Sequence, residues 1–365
     1  MSFLDNITKI FEKKDNKILG VDIGSSSIKI VQLSRKKAIP VLDTFGEISL
    51  SVFANKAIGK PVNLTEDKLT EALSDLMKES QADAQDVAFS IPLKSTLMFN
   101  LKLPKKIPES KLDETVKLES RKYIPVPISE VQLDWSVIPS ALSQAEVEEF
   151  YEIIVIAIHK ETLNKYVNIA TNLKLNLKFL EIETFSTIRS VVKYERDTSA
   201  IVDIGSSMTK FYIVENGIIR KSHIINIGSF NMLKIFNNAK GDNIADNHKA
   251  AQNGLIGESA KLLRNEIKMK KDLPVDLVRI TNEIKRAIIS YQQENSKDIN
   301  NIIFTGGGSI FKEILPYIKE QLSINVEVAD PFSKVDNPAF LDNALKETGP
   351  EFAVAVGLGL RGLAE

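Results

Sequence analysis

From Ile18 onward the chain opens on short apolar runs that end in polar turns, and the same texture returns after residue 197. Ile18-Leu19-Gly20-Val21 runs into Asp22, and beyond the Gly24-Ser25-Ser26 bend apolar positions alternate at Ile28, Ile30 and Leu33. Ala200-Ile201-Val202 runs into Asp203 in the same way, with Phe211 and Ile213 beyond Gly205-Ser206-Ser207. Apolar runs bounded by glycine and serine read as β-hairpins. A third strand follows each, over 38–50 and 218–227. A helix opened by the capping residue Thr65 is predicted over 65–77, and a buried strand over 87–91. Three consecutive strands followed by a helix and a strand predict a mixed sheet in an α/β domain.

Between Pro92 and Leu173 the pattern changes to strand 97–103, helix 109–123, strands 131–138 and 151–158 around the acidic loop 140–149, and helix 161–173. This reads as a subdomain inserted in the first half. Residues 230–295 read as mostly helical, broken by Gly241, Gly254 and Pro274, and would form a second insertion. An apolar strand over 301–305 then runs into Gly306-Gly307-Gly308, with a helix over 311–320. The closing helix holds Gly357-Leu358-Gly359-Leu360-Arg361-Gly362, a formal dinucleotide-loop match with no βαβ unit after it, so close helix packing explains its glycines better. At the other end, Phe3, Leu4, Ile7, Ile10 and Phe11 share one helical face with Lys9, Lys13 and Lys14 nearby. Such a leader would dock on a membrane surface or a partner, pack on its own domain, or be simply mobile.

Composition narrows the chemistry. A chain of 365 residues has room for two core-bearing domains. The formal net charge of −1 argues against nucleic-acid binding through bulk positive charge. Cysteine is absent, which excludes disulfides, thiolate metal sites and thiol catalysis. His159, His223 and His248 are scattered with no ligand spacing, so zinc chemistry is not expected. No apolar run reaches the roughly 20 residues of a membrane span, and no signal-peptide pattern opens the chain.

The two turns carry the candidate chemistry. Asp22-Ile23-Gly24-Ser25-Ser26-Ser27-Ile28-Lys29 and Asp203-Ile204-Gly205-Ser206-Ser207-Met208-Thr209-Lys210 agree at six of eight positions, an internal duplication. Glycine at the bend lets backbone amides approach an anion, and serine hydroxyls add donors. An aspartate at the strand end can hold the water shell of Mg²⁺, which gives Asp22 and Asp203 as metal candidates. Two such hairpins facing each other would hold a triphosphate from both sides, with Lys29 as counter-charge. Alone, each is also an ordinary tight turn. The triple glycine would let a flat ring lie on bare backbone, with helix amides near a phosphate.

This order of hairpin, helix-coupled strands, second hairpin and Gly306 to Gly308 resembles the actin and sugar-kinase ATPase superfamily. More narrowly, residues 18–29, the Lys122-Tyr123-Ile124-Pro125-Val126-Pro127 segment with Glu130-Val131, and the Thr305 to Ser309 turn resemble the PilM family, actin-like cytoplasmic proteins of type IV pilus assembly. The resemblance implies an α/β, actin-like (duplicated ribonuclease H-like) ATPase fold with two domains around a nucleotide cleft. By position, Asp22, Gly24, Ser25, Ser26, Ser27 and Lys29 would form a first phosphate loop, and Asp203, Gly205, Ser206, Ser207 and Thr209 a second. Gly306, Gly307 and Gly308 would contact adenosine, as would Glu283 and Arg286, which also read as a routine helix-surface pair. Glu183 stands where related enzymes place a water-positioning residue, without the proline that commonly follows it. Its charge also favours a helix N-terminus.

The resemblance further implies a leader over 1–17, subdomain 1A over 18–91 with a return over 176–196, and subdomain 1C over 92–175. Subdomain 2A would span 197–228 and 298–330, 2B 229–297, and a segment over 331–365 would return to 1A. The implied ligands are ATP and Mg²⁺, with weak hydrolysis at most. The implied partner is the N-terminal cytoplasmic peptide of a PilN-like membrane protein, bound in a nucleotide-dependent way at the inner face of the inner membrane. The same coupling would serve self-association of neighbouring copies, and a type II secretion platform is the related setting. An FtsA-like division tether is the alternative within the fold. A small-molecule kinase would need an aspartate base beside a substrate pocket, for which the sequence offers no candidate.

Overall fold

The computed structural model describes residues 17–56, 58–138, 149–193, 198–231, 275–309 and 314–364. The amphipathic leader, nearly all of the acidic loop, most of the 230–295 stretch and the start of the helix expected over 311–320 lie outside the described residues.

Two five-stranded sheets are built on one plan. In the first, β1 (Lys17–Ile23), β2 (Ser27–Lys36) and β3 (Ile39–Ser49) form an antiparallel meander, and β4 (Asp86–Ile91) and β8 (Asn176–Ile182) add in parallel beside β1, giving the order β3-β2-β1-β4-β8. In the second, β9 (Thr198–Ile204), β10 (Thr209–Glu215) and β11 (Ile218–Ile225) repeat the meander. There β12 (Asn301–Thr305) and β13 (Asn325–Val328) repeat the parallel pair, giving β11-β10-β9-β12-β13. β1 and β9 are central and read as near-continuous apolar runs because both of their faces are covered.

A third sheet of three strands, β5 (Thr96–Pro104), β7 (Phe150–His159) and β6 (Val131–Val137), is inserted between β4 and β8. The helix expected over 109–123 is shorter, a 3₁₀ turn over Glu109–Lys111 followed by a helix over Leu112–Ser120. The residue before a proline is kept out of the α region, so the chain unwinds ahead of Ile124-Pro125. The helix after Thr65 runs over Glu66–Glu79, and Thr65 takes the capping position without a side-chain hydrogen bond.

Helices α1 (Glu66–Glu79) and α2 (Lys160–Asn172) cover one face of the first sheet, setting Leu69, Leu73, Leu76, Tyr166 and Ile169 against Leu19, Val21 and Phe89. The long helix α3 (Val275–Asn295) covers the second sheet through Leu277, Ile280, Ile284 and Ile288. Between the sheets lie α4 (Glu183–Val191) and α5 (Ala353–Ala364), both buried nearly all round. Helix α4 sends Ile188 and Val191 against Ile201, Tyr212 and Ile303 of the second sheet, while α5 packs against Ile18, Val31 and Leu33 of the first. The glycines of α5 serve this close packing. A Cβ at Gly357 would collide with the backbone of Ser186, and one at Gly359 with Leu33. No helix among the described residues is long and apolar enough to cross a membrane.

Candidate functional site

The duplicated turns have the same local geometry. The Gly24 amide donates to the Ser27 carbonyl and the Gly205 amide to the Met208 carbonyl, each at 2.9 Å. In each hairpin the aspartate and the lysine of the repeat are cross-strand partners, Asp22 with Lys29 and Asp203 with Lys210. Opposed residues share a sheet face, so register sets an aspartate beside a lysine in each hairpin, and in the second the two form an ion pair at 2.7 Å.

The two turns open onto one cavity of about 1250 Å³. Asp22, Gly24, Ser25, Ser26, Ser27 and Lys29 line it from one side, and Asp203, Gly205, Ser206 and Ser207 from the other, with Gly306, Gly307 and Glu183 at the floor. Four predicted residues are placed differently. Thr209 is fully buried and donates to the Ile227 carbonyl at 2.8 Å, and Gly308 packs on Ile204, so both shape the turns without lining the cavity. Glu283 faces His223 at 3.6 Å and Arg286 is 79 % exposed, and neither is among the lining residues.

The lysines diverge because their outer neighbours differ. Lys29 lies opposite Glu47 of β3 and pairs with it at 2.9 Å while donating to the Ser27 hydroxyl at 2.7 Å. Burial pushes its ammonium down, but Glu47, Glu351 and Asp22 outweigh that and raise it to about 12. Lys210 has the apolar Ile224 at the equivalent place and turns inward, to Asp203 Oδ2 at 2.7 Å and Glu183 Oε2 at 2.6 Å. Burial opposes the Lys210 charge, yet Asp203 and Glu183 hold it well above the ordinary lysine value. Burial raises the Glu183 carboxyl above the ordinary glutamate value against the pull of Lys210.

Sequence reasoning assigns Lys29 and leaves out Lys210, although the repeat marks both. It also leaves out Ser90, whose hydroxyl donates to Asp22 Oδ1 at 2.6 Å, and Gly59, whose carbonyl accepts from Ser206 Oγ at 2.6 Å. No motif signals these two. The donor set suits a magnesium ion at Asp22, since Mg²⁺ takes one or two carboxylates and draws its other ligands from phosphate and water. Asp203 suits it less, because an ammonium already holds Oδ2 and Oδ1 lies against Gly306. No group of three or more histidine, aspartate or glutamate side chains stands ready for a metal among the described residues.

Two sheets of identical order, a matched hairpin in each and a cavity between them define the actin-like class of α/β fold. The family of type IV pilus assembly protein PilM matches residues 20–225 and 241–363, and the chain belongs to that family. Among solved structures, it is similar to the PilM-PilN type IV pilus biogenesis complex at 21% identity and a TM-score of 0.73, covering 95% of this chain and 98% of that one, a likeness of fold over the full length. A weaker likeness is to the ethanolamine utilization protein EutJ from Carboxydothermus hydrogenoformans, at 11% identity and a TM-score of 0.49 over 94% of this chain and 89% of that one.

Proposed function

We propose that the chain is a nucleotide-dependent scaffold of the type IV pilus inner-membrane assembly platform. Its ligand is ATP with Mg²⁺, and its partner is the N-terminal cytoplasmic peptide of a PilN-like membrane protein, which brings the chain to the inner face of the inner membrane. The observation that carries the nucleotide reading is the pair of Asp-x-Gly-Ser-Ser hairpins facing each other across one cavity. A structure of similar fold described as a PilM-PilN complex supports the partner.

In this reading the amides and hydroxyls of Ser25, Ser26 and Ser207 take the phosphate oxygens, and Lys29 supplies positive charge beside them. The Gly24 and Gly205 amides are spent on turn closure, so they fix the loops and leave the serines to the ligand. Asp22 would hold the magnesium ion, which neutralises phosphate charge when bound. Gly306 and Gly307 would present bare backbone to the adenosine. ATP bound from both sides orders the halves and biases affinity for the peptide.

Isothermal titration of the purified protein with that peptide, with and without Mg²⁺ and ATP, tests the reading. Peptide binding that changes with nucleotide is expected. Peptide bound equally well in both states would remove the nucleotide dependence, and failure to bind ATP would remove the ligand.

A further inference from the structure

Glu183 is the first residue of α4, at the joint between β8 and the second half. Both of its carboxylate oxygens are engaged. Oε1 accepts the Leu93 amide at 2.7 Å, and Oε2 accepts the Lys210 ammonium at 2.6 Å. Each oxygen thus has one protein donor and keeps a second lone pair for another.

What those donors belong to is informative. Leu93 opens the turn Leu93–Ser95, which leads directly into β5, the first strand of the three-stranded sheet. Lys210 belongs to β10 and is shared with Asp203, beside the Gly306 turn at the cavity floor. Leu93, Glu183, Lys210 and Asp203 are each less than a tenth exposed, so water does not shunt the contacts between them. In such surroundings a charged link responds strongly to a new charge nearby.

We infer that Glu183 is a positioning residue that couples the floor of the cavity to the root of the three-stranded sheet, through Lys210 on one side and the Leu93 amide on the other. The inference rests on the nucleotide reading above and names the device by which nucleotide would act at a distance. An ammonium has three donors, and Lys210 spends two on Asp203 and Glu183. A phosphate oxygen in the cavity is an acceptor for the third. Its charge weakens the hold of Lys210 on Glu183, and Glu183 passes the change to Leu93. By linkage, a partner that shifts the root of β5 alters nucleotide affinity to the same degree.

Amide hydrogen exchange over residues 93–104 of the full chain tests this, with and without a saturating non-hydrolysable ATP analogue and Mg²⁺. In the wild type, nucleotide should change exchange at residues 93–96 by about tenfold or more, the scale of one charged hydrogen bond. In Glu183→Gln, which keeps the shape and loses the charge, the nucleotide-induced change should fall below about twofold. Lys210→Gln should lose it likewise, approached from the other end and available should the first variant fail to fold. A variant that shifts the baseline but keeps the full nucleotide-induced change overturns the inference and leaves Glu183 a purely structural group. A wild type that binds the analogue with no response at 93–96 also overturns it. Calorimetry on the same samples separates the cases, since no analogue binding at all sinks the nucleotide reading and the coupling together.

Discussion

The hydroxyl of Ser206, on the turn of the second hairpin, donates to the carbonyl of Gly59, in the segment that follows β3, at 2.6 Å. Val62 in the same segment donates its amide to the Ser25 carbonyl of the first turn at 2.9 Å. Residues 58–62 therefore strap one turn to the other along the wall of the cavity. Removing the hydroxyl with Ser206→Ala should cost the strapped state about 1 kcal/mol, or roughly fivefold in its population. Amide exchange over 58–64 should quicken by that factor, and an unchanged rate would show that the contact holds nothing.

Lys29 is the cation of the first turn, and Glu47 draws it outward. Lys29→Met should weaken ATP by about tenfold or more, the worth of a charge-assisted hydrogen bond. Glu47→Gln releases Lys29 toward the cavity and should tighten ATP a few-fold. Titration calorimetry on both variants reads the pair, and shifts in the same direction would contradict the role given to Lys29.

Gly306 holds a φ of +82°, and a Cβ there would collide with Asp203 Oδ1 and the Ile204 carbonyl. Gly306→Ala carries about 1–2 kcal/mol for the left-handed backbone and a further cost for displacing Asp203. Thermal unfolding should move down by several degrees and ATP binding should be lost. A variant with unaltered melting would mean that the turn is free to rearrange.

Glu181, buried at the end of β8, is gripped by the Arg189 fork at 2.6 and 2.8 Å, by Arg361 at 3.0 Å and by the Ser186 hydroxyl at 2.5 Å. Burial would raise its pKa, but the Arg189 hydrogen bonds and the charges of both arginines carry it below the ordinary glutamate value. A lowered folded-state pKa contributes stability that is full above the ordinary value and is lost as pH falls through the folded one. Glu181→Gln should cost about 2 kcal/mol at pH 7, after discounting the partly exposed arginines. The gap in urea midpoint between the two proteins should begin to narrow below the ordinary glutamate pKa of about 4.3 and close as pH falls through the lower folded value, and a gap that persists at the acid limit would place the effect in packing.

The strands were legible because a period of two and the glycine-serine bends are local properties of the chain, and both hairpins lie where those signals stand. The aspartates and serines of the repeat could be placed in one cavity for the same reason. The different fates of Lys29 and Lys210 could not be read, because they turn on the residue opposite each in the third strand, Glu47 in one half and Ile224 in the other. That register is a property of the assembled sheet. Thr209 shows the limit of carrying a motif over by position: its neighbour Lys210 faces the cavity, so Thr209 points to the other side of the strand. Glu283 and Arg286 lie three apart on a helix, a spacing that puts them together on a surface without saying which surface.

Helix α5, with its glycines seated on β1, β2 and α4, completes the core of the first sheet from the far end of the second half. During synthesis the first half therefore leaves the ribosome as an open sheet, with Ile18, Val31 and Leu33 uncovered until the whole second half has been translated. The cavity, lined in part by Ala353 and Val354, is complete only after that. A chain cut anywhere before residue 353 would lack α5, leaving Ile18, Val31 and Leu33 uncovered and the cavity without the wall that Ala353 and Val354 give it.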